Sequence, residues 1–111
     1  MGKLPAAYEE FQRTFRRVWE AYDNLGTAVH QAGPLDPKTR ELIKLGIAIG
    51  GRLEGAVRAH TRLALERGAA PDAIRHVALL AITTSGFPTG MAALTWIHDV
   101  LRDRRKGGKR R

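Results

Sequence analysis

Cysteine is absent from this chain of 111 residues. Disulfide exchange, thiolate peroxidase chemistry, iron–sulfur clusters and thiolate zinc sites all require sulfur as nucleophile or ligand, so the chain cannot perform or build them. Histidine is scarce as well: His30, His76 and His98 lie far apart, with only Asp72 and Asp99 nearby as further ligand-type side chains. We therefore expect no metal site and no cofactor.

Long apolar segments are also lacking. No apolar run reaches the ~20 residues that a helix needs to cross a bilayer. The amino terminus has no basic segment followed by a hydrophobic core, which is the pattern of a secretory signal. The sequence therefore predicts a soluble, cytoplasmic protein without membrane contacts.

Acidic residues are few in the last ten positions, and this explains most of the net charge of +8. Residues 102–111, RDRRKGGKRR, carry seven basic residues against one aspartate, or +6, which leaves +2 for residues 1–101. We expect residues 1–101 to form a single domain and residues 102–111 to be a basic, solvated and frayed tail. The alternative for the tail is weak attraction to nucleic acid or to another anionic surface, which would be salt-dependent and without sequence preference.

Strand-type alternation of apolar and polar residues is missing throughout, so the predicted fold is all-α. Apolar residues spaced three and four apart predict a helix over residues 8–31, and Gly33-Pro34 ends it. A favourable N-cap, Asp36, and a proline at the next position begin another helix. This second helix continues over Thr39–Ile49, and later helices are predicted over Arg52–Arg67, Pro71 to about Thr84, and Gly86 through Leu101.

The second and third predicted helices form a tight antiparallel hairpin across Gly50-Gly51. The second helix is apolar on nearly every side, so we expect it to be central and buried. His60 belongs to the apolar stripe of the third helix, where burial without a hydrogen-bond partner costs on the order of 1–3 kcal/mol. Glu41 lies about as far from the turn as His60, so the two side chains are predicted to meet directly or through one water.

Two interpretations of the Glu41–His60 pair stay open. In one, the carboxylate orients the imidazole, which transfers a proton to or from a bound ligand, so both residues are catalytic. In the other, the pair only satisfies the hydrogen-bonding needs of two core side chains.

Three further side chains are candidates for substrate binding: Glu54, Arg58 and Thr84. Glu54 and Arg58 either form an ion pair on a solvated helix face or, with Arg52 and Arg62 nearby, face a cleft or second subunit and hold an anionic ligand. The Thr84 hydroxyl either faces the same pocket or simply marks the end of a helix, as such side chains often do.

The hairpin segment from Arg40 to Gly68, RELIKLGIAIGGRLEGAVRAHTRLALERG, resembles the carboxymuconolactone decarboxylase and alkylhydroperoxidase (AhpD-like) family. In thiol-bearing members a glutamate on one helix faces a C-x-x-C-x-x-x-H segment on the next. Leu53 and Ala56 occupy the two cysteine positions here. The strings E-G-A-V-x-x-H and L-L-A-I-T-T-x-G-F-P are similar to a cysteine-free branch, and the resemblance covers roughly residues 36–100.

This resemblance implies an AhpD-like helical fold of about five to six helices around the central antiparallel hairpin. It implies acid–base chemistry of the lyase or decarboxylase type on an anionic small molecule, without thiol-dependent peroxidase activity. It also implies a homo-oligomer, from dimer to hexamer, and the aromatic residues of the first helix suggest that some of its surface packs between subunits. The alternative is a non-catalytic binding or structural oligomer that kept the fold and lost the redox centre.

Overall fold

The computed structural model describes residues 6–109, and the side chains of residues 6–105. The described chain is all-α, as predicted, and contains no strand. Its elements are α1 (Ala6–Thr14), α2 (Arg16–Gln31), α3 (Pro37–Gly50), α4 (Glu54–Glu66), α5 (Pro71–Ser85) and α6 (Phe87–Lys109). None of these helices is long and apolar enough to cross a membrane.

The chain divides into two compact units. The first unit ends at Pro34 and contains α1 and α2; the second begins at Leu35 and contains α3 to α6. That residues 1–101 form a single domain therefore stays a prediction.

The first unit corrects the prediction of one continuous helix over residues 8–31. The backbone of Phe15, with φ −120° and ψ 54°, leaves the helical region and separates α1 from α2. The Phe15 N–H still donates to the Phe11 carbonyl, and the Trp19 N–H donates to the Phe15 carbonyl, both at 2.9 Å. The interruption is therefore local.

In the second unit α3 begins where the sequence predicts. Asp36 is the N-cap, its carboxylate accepts from the Thr39 backbone N–H, and Pro37 fills the first helical position. The Thr39 hydroxyl also donates to this carboxylate, and that hydrogen bond lowers the pKa of Asp36 below its ordinary value. The start of α3 is thus fixed by side chains that are adjacent in sequence.

The left-handed residue of the turn between α3 and α4 is Arg52, with φ 53°, and neither Gly50 nor Gly51 has a positive φ. The Leu53 N–H donates to the Ala48 carbonyl and the Arg52 N–H to the Ile49 carbonyl, which is the hydrogen-bond pattern of a Schellman motif. Helix α4 consequently begins at Glu54, two residues later than predicted.

The core of the second unit lies among its four helices. Helix α5 packs extensively on α6 and α3 on α4, while α4 also contacts α6 and α3 contacts α5. The largest fully buried apolar side chains are Leu45, Ile49, Val57, Ile74 and Ile97. These residues bring at least one buried apolar side chain from each helix into one cluster.

Two expectations about burial and helix length are wrong. Helix α3 is buried on only one side, because Ile43 and Ile47 on its other side are exposed. Helix α6 does not end at Leu101 but continues to Lys109, so the first part of the basic tail is helical. The side chains of Arg102 to Arg105 are exposed, and Arg110 and Arg111 lie outside the described residues.

Helices α5 and α6 approach each other closely at Gly90. A methyl group at Gly90 would collide with the Ile82 side chain and lie 3.2 Å from the Ala78 carbonyl oxygen. Because the obstructing atoms include backbone, the helices would have to separate to admit it.

We predict that Gly90→Ala lowers the free energy of unfolding by about 1–3 kcal/mol through overpacking. Gly55→Ala is the matched control, since nothing lies within 4 Å of a methyl group there. The control should be neutral or stabilising, because alanine favours helix over glycine by roughly 0.5–1 kcal/mol. Urea denaturation followed by circular dichroism measures both, and equal effects at the two glycines would contradict the close approach.

Candidate functional site

Glu41 of α3 and His60 of α4 are in direct contact. The imidazole Nδ1 lies 2.9 Å from the Glu41 carboxylate Oε1, without an intervening water. The Glu41 side chain is only 4% exposed, whereas that of His60 is 19% exposed. The carboxylate is therefore in the interior, whereas the imidazole reaches the surface.

The hairpin produces this contact. Val57 and Ala64, on the same side of α4 as His60, are fully buried, and Leu45 on α3 is one turn from Glu41 and also buried. Apolar contacts thus hold both helices at the level of the pair. Leu53 and Ala56 occupy the two cysteine positions of the family and lie between the turn and His60 along the chain. Leu53 is exposed and Ala56 is half-buried.

The contact constrains the tautomer of the imidazole. An ionised carboxylate only accepts hydrogen bonds, so an ionised Glu41 requires Nδ1 of His60 to donate and carry a proton. In the neutral ring, Nε2 then carries the lone pair. The buried carboxylate thus fixes the orientation of the imidazole ring.

Glu54 and Arg58 also come together, within a larger ion-pair network. The Arg58 Nη2 lies 3.0 Å from the Glu54 carboxylate and 3.2 Å from the carboxylate of Asp99 on α6. Arg102 pairs with the other Asp99 oxygen at 3.2 Å. Burial lowers the pKa of the Arg58 guanidinium, but the hydrogen bonds to Glu54 and Asp99 outweigh it and raise that pKa above its ordinary value. Arg58 therefore links α4 to α6.

Thr84 is exposed near the end of α5. Its hydroxyl donates to the Leu80 carbonyl at 2.8 Å, and the Thr83 hydroxyl donates to the same carbonyl at 3.3 Å. Both hydrogen bonds are internal to the helix, as expected for hydroxyl side chains in its last turns. Of the five predicted site residues, the described contacts join Glu41 to His60 and Glu54 to Arg58.

The sequence did not predict the roles of two residues of this region, Asp99 and Thr89. Asp99 is 41 residues from its partner Arg58, so no helical spacing could indicate the pair. Thr89, buried in the first turn of α6, accepts a hydrogen bond at 3.0 Å from Nη1 of Arg52. This contact connects the left-handed turn to the start of α6, and no local sequence signal predicts it.

Two half-open cavities of the second unit lie away from the Glu41–His60 pair. One, of about 350 Å³, is lined by Arg75, Leu94, Thr95, His98 and Asp99. The other, of about 470 Å³, lies where the α4–α5 connection meets the end of α6. Among the described residues, no group of three or more histidine, aspartate or glutamate side chains is placed to hold a metal ion.

Comparisons with known proteins agree with the resemblance seen in the sequence. The model of the carboxymuconolactone decarboxylase family matches residues 16–99. An uncharacterized protein of Haemophilus influenzae is 37% identical over 54 residues, which is 49% of this chain and 48% of that protein. This chain thus matches about half the length of that relative.

A solved structure shares the fold. It is that of a carboxymuconolactone decarboxylase family protein from Legionella pneumophila, which superposes with a TM-score of 0.77 at 21% identity and covers 86% of each chain. At this level of identity the likeness establishes the helical architecture alone.

We predict that neutral His60 carries its proton on Nδ1, and that Glu41→Gln lowers the fraction of this tautomer. The reason is that a glutamine amide can donate as well as accept, so it no longer requires Nδ1 to donate. Nitrogen-15 NMR of the imidazole rings, at a pH where His60 is neutral, measures the tautomer. Glu54→Gln is the control and should leave it unchanged. The same tautomer in Glu41→Gln and wild type would show that the carboxylate does not set it.

Proposed function

This chain belongs to the carboxymuconolactone decarboxylase family, and from that premise we propose that Glu41 and His60 perform general acid–base chemistry on an anionic small molecule. The observation that carries the proposal is the 2.9 Å contact between a buried carboxylate and a partly exposed imidazole. Thiol-dependent peroxidase chemistry is excluded, because the chain has no cysteine.

The roles of the two side chains follow from their burial. Glu41 holds the ring through Nδ1, so Nε2 is the nitrogen through which His60 would exchange a proton with a ligand. When the ring is protonated, the adjacent carboxylate compensates the positive charge. Orientation and charge compensation are the two contributions that a carboxylate makes to a histidine acid–base catalyst.

The reaction class we propose is lyase chemistry of the decarboxylase type on a carboxylated lactone. The bond between the ring carbon and the carboxylate breaks, its electron pair stays on the substrate, and carbon dioxide leaves. A proton then replaces the carboxylate on the substrate, and His60 delivers it from Nε2. Solvent restores the proton of the imidazole, so no oxidant or reductant is needed.

The ion-pair network limits where a substrate anion can bind. Arg58 already contacts two carboxylates, and with Arg102 the four charges of the network cancel. Arg58 and Glu54 stay proposed substrate contacts; a substrate carboxylate that bound Arg58 would displace Glu54, which is 54% exposed, more readily than Asp99, which is 29% exposed. Thr84 stays a proposed hydroxyl contact to the same ligand.

The test of catalysis is the decarboxylation of a panel of carboxylated lactones, followed by proton NMR of the product. We expect His60→Ala to lower kcat by about 10²- to 10⁴-fold, the range typical of a lost general acid–base group. Glu41→Gln should also lower kcat, because it leaves the ring without its orienting carboxylate. His76→Ala is the control, since His76 is exposed on α5.

Two outcomes would contradict the proposal. Full activity in a folded His60→Ala variant would remove the acid–base role. Absence of turnover in the wild type across the panel would favour the alternative function, a binding or structural oligomer that kept the fold. Exposed apolar surface on α2 supports the oligomer under either function.

The homo-oligomer is proposed from the apolar side of α2. Val18, Tyr22, Leu25 and Val29 repeat at spacings of four, three and four residues and are 59%, 65%, 59% and 59% exposed. Such a repeat forms the seam along which helices of two chains pack. Single exposed apolar residues are ordinary, but a continuous row of this kind marks an interaction surface.

We predict that the wild type has a mass that is a multiple of 12.3 kDa and that Tyr22→Glu/Leu25→Glu reduces it toward 12.3 kDa. Charges on the seam would have to lose water on association, which is costly. Asn24→Glu/Thr27→Glu adds the same charge at exposed polar positions of α2 and should leave the mass unchanged. Light scattering after size exclusion measures the mass, and a wild type of single-chain mass would exclude the oligomer.

A further inference from the structure

The cavity of about 470 Å³ in the second unit is separate from the proposed catalytic pair, since neither Glu41 nor His60 lines it. It lies between the α4–α5 connection and the last turns of α6. Its volume is within the ~300–1,000 Å³ that is typical of small-molecule sites. The basic segment after Leu101, to which the proposed function assigns no role beyond one ion pair, forms one of its walls.

The floor of the cavity is apolar. Leu65, Ala69 and Leu101 line it. The floor is built by the end of α4, where Gly68 takes a φ of 94° and the Ala69 N–H donates to the Ala64 carbonyl. This second Schellman motif directs Ala69 inward, where it is 6% exposed, beside Leu101 at 7%. The floor is therefore fixed by backbone geometry as well as by packing.

The rim of the cavity is basic. Arg75, Arg104 and Arg105 line it, and no aspartate or glutamate is among its lining residues. Arg75 is paired with Asp72 at 3.2 Å, but the Asp72 side chain is 97% exposed, so solvent screens this pair. Arg104 and Arg105 are exposed and form none of the described ion pairs. The rim therefore carries a positive charge that the described side chains only partly neutralise.

We propose that this cavity binds a small anionic amphiphile. Its apolar body contacts Leu65, Ala69 and Leu101, and its head group, a carboxylate or a phosphate, accepts hydrogen bonds from Arg104 and Arg105. Guanidinium groups bind both head groups through paired N–H donors, and the adjacent apolar floor selects against a bare ion. Nucleic acid fits less well, because no aromatic side chain lines the cavity to stack on a base.

The experiment is a titration of methyl-labelled protein with octanoate and octyl phosphate, followed by carbon–proton NMR. We expect saturable shifts at the Leu65, Ala69 and Leu101 methyl groups. Octanol, which has the same chain without charge, and inorganic phosphate, which lacks the chain, should each bind at least tenfold more weakly. Whichever of octanoate and octyl phosphate binds more tightly identifies the preferred head group.

Charge-removing variants test the rim. Arg104→Gln/Arg105→Gln should weaken octanoate and octyl phosphate binding at least tenfold, since it removes the charge-assisted hydrogen bonds. Arg13→Gln/Arg17→Gln removes the same charge from exposed positions in the first unit and should bind like wild type. Glu41→Gln should also bind like wild type, so this site can be confirmed or lost independently of the proposed catalysis.

Several results would overturn the proposal. Octanol binding as tightly as octanoate would show that the arginines do not recognise a head group. Unchanged affinity in Arg104→Gln/Arg105→Gln, or shifts confined to other methyl groups, would place binding elsewhere. A single-stranded oligonucleotide that displaces octanoate from the same methyl groups and binds more tightly would assign the surface to nucleic acid.

Discussion

The left-handed backbone of Arg52 is the constraint on which the second unit depends. A non-glycine residue in this conformation costs roughly 1–2 kcal/mol, yet it lets the chain leave α3 and enter α4 within three residues. The hydrogen bond from Arg52 to Thr89 ties this turn to α6 and offsets part of the cost. Because the turn is fixed, so is the register of the hairpin, and that register brings Glu41 opposite His60.

The Glu41–His60 pair shows how burial forces a polar side chain to find a partner. A buried carboxylate without a partner is strongly unfavourable, so Glu41 requires the imidazole. The imidazole in turn is held by its inner nitrogen and keeps part of its surface exposed. The same arrangement satisfies the buried carboxylate and leaves the oriented imidazole beside solvent. The structural and catalytic interpretations therefore describe the same geometry and differ only in whether a ligand binds there.

The charged and apolar surfaces of the second unit lie in different places, and each suits a different kind of interaction. The Arg58 network neutralises itself between α4 and α6 and stabilises their packing. Arg104 and Arg105, by contrast, lie beside an apolar cavity. Exposed apolar residues such as Ile47 add a third kind of surface, typical of contacts between protein chains. The basic end of the chain is thus more than a solubilising tail, because its first turns belong to α6.

The sequence by itself determined the all-α fold, the starts of α3 and α5, and the pairing of Glu41 with His60. The helix starts depend on local signals, such as Asp36 at an N-cap, and the fold class depends on helical periodicity. The Glu41–His60 pairing follows from the equal distance of both residues from one short turn. Only the tertiary structure decided that Arg52 rather than a glycine reverses the chain, and that Asp99 holds Arg58. It alone decided which apolar side chains stay exposed, because a helix apolar on most sides does not specify which sides its neighbours cover. The Arg58–Asp99 and Arg52–Thr89 contacts depend on how α6 packs on the hairpin, and no spacing within a single helix encodes that packing.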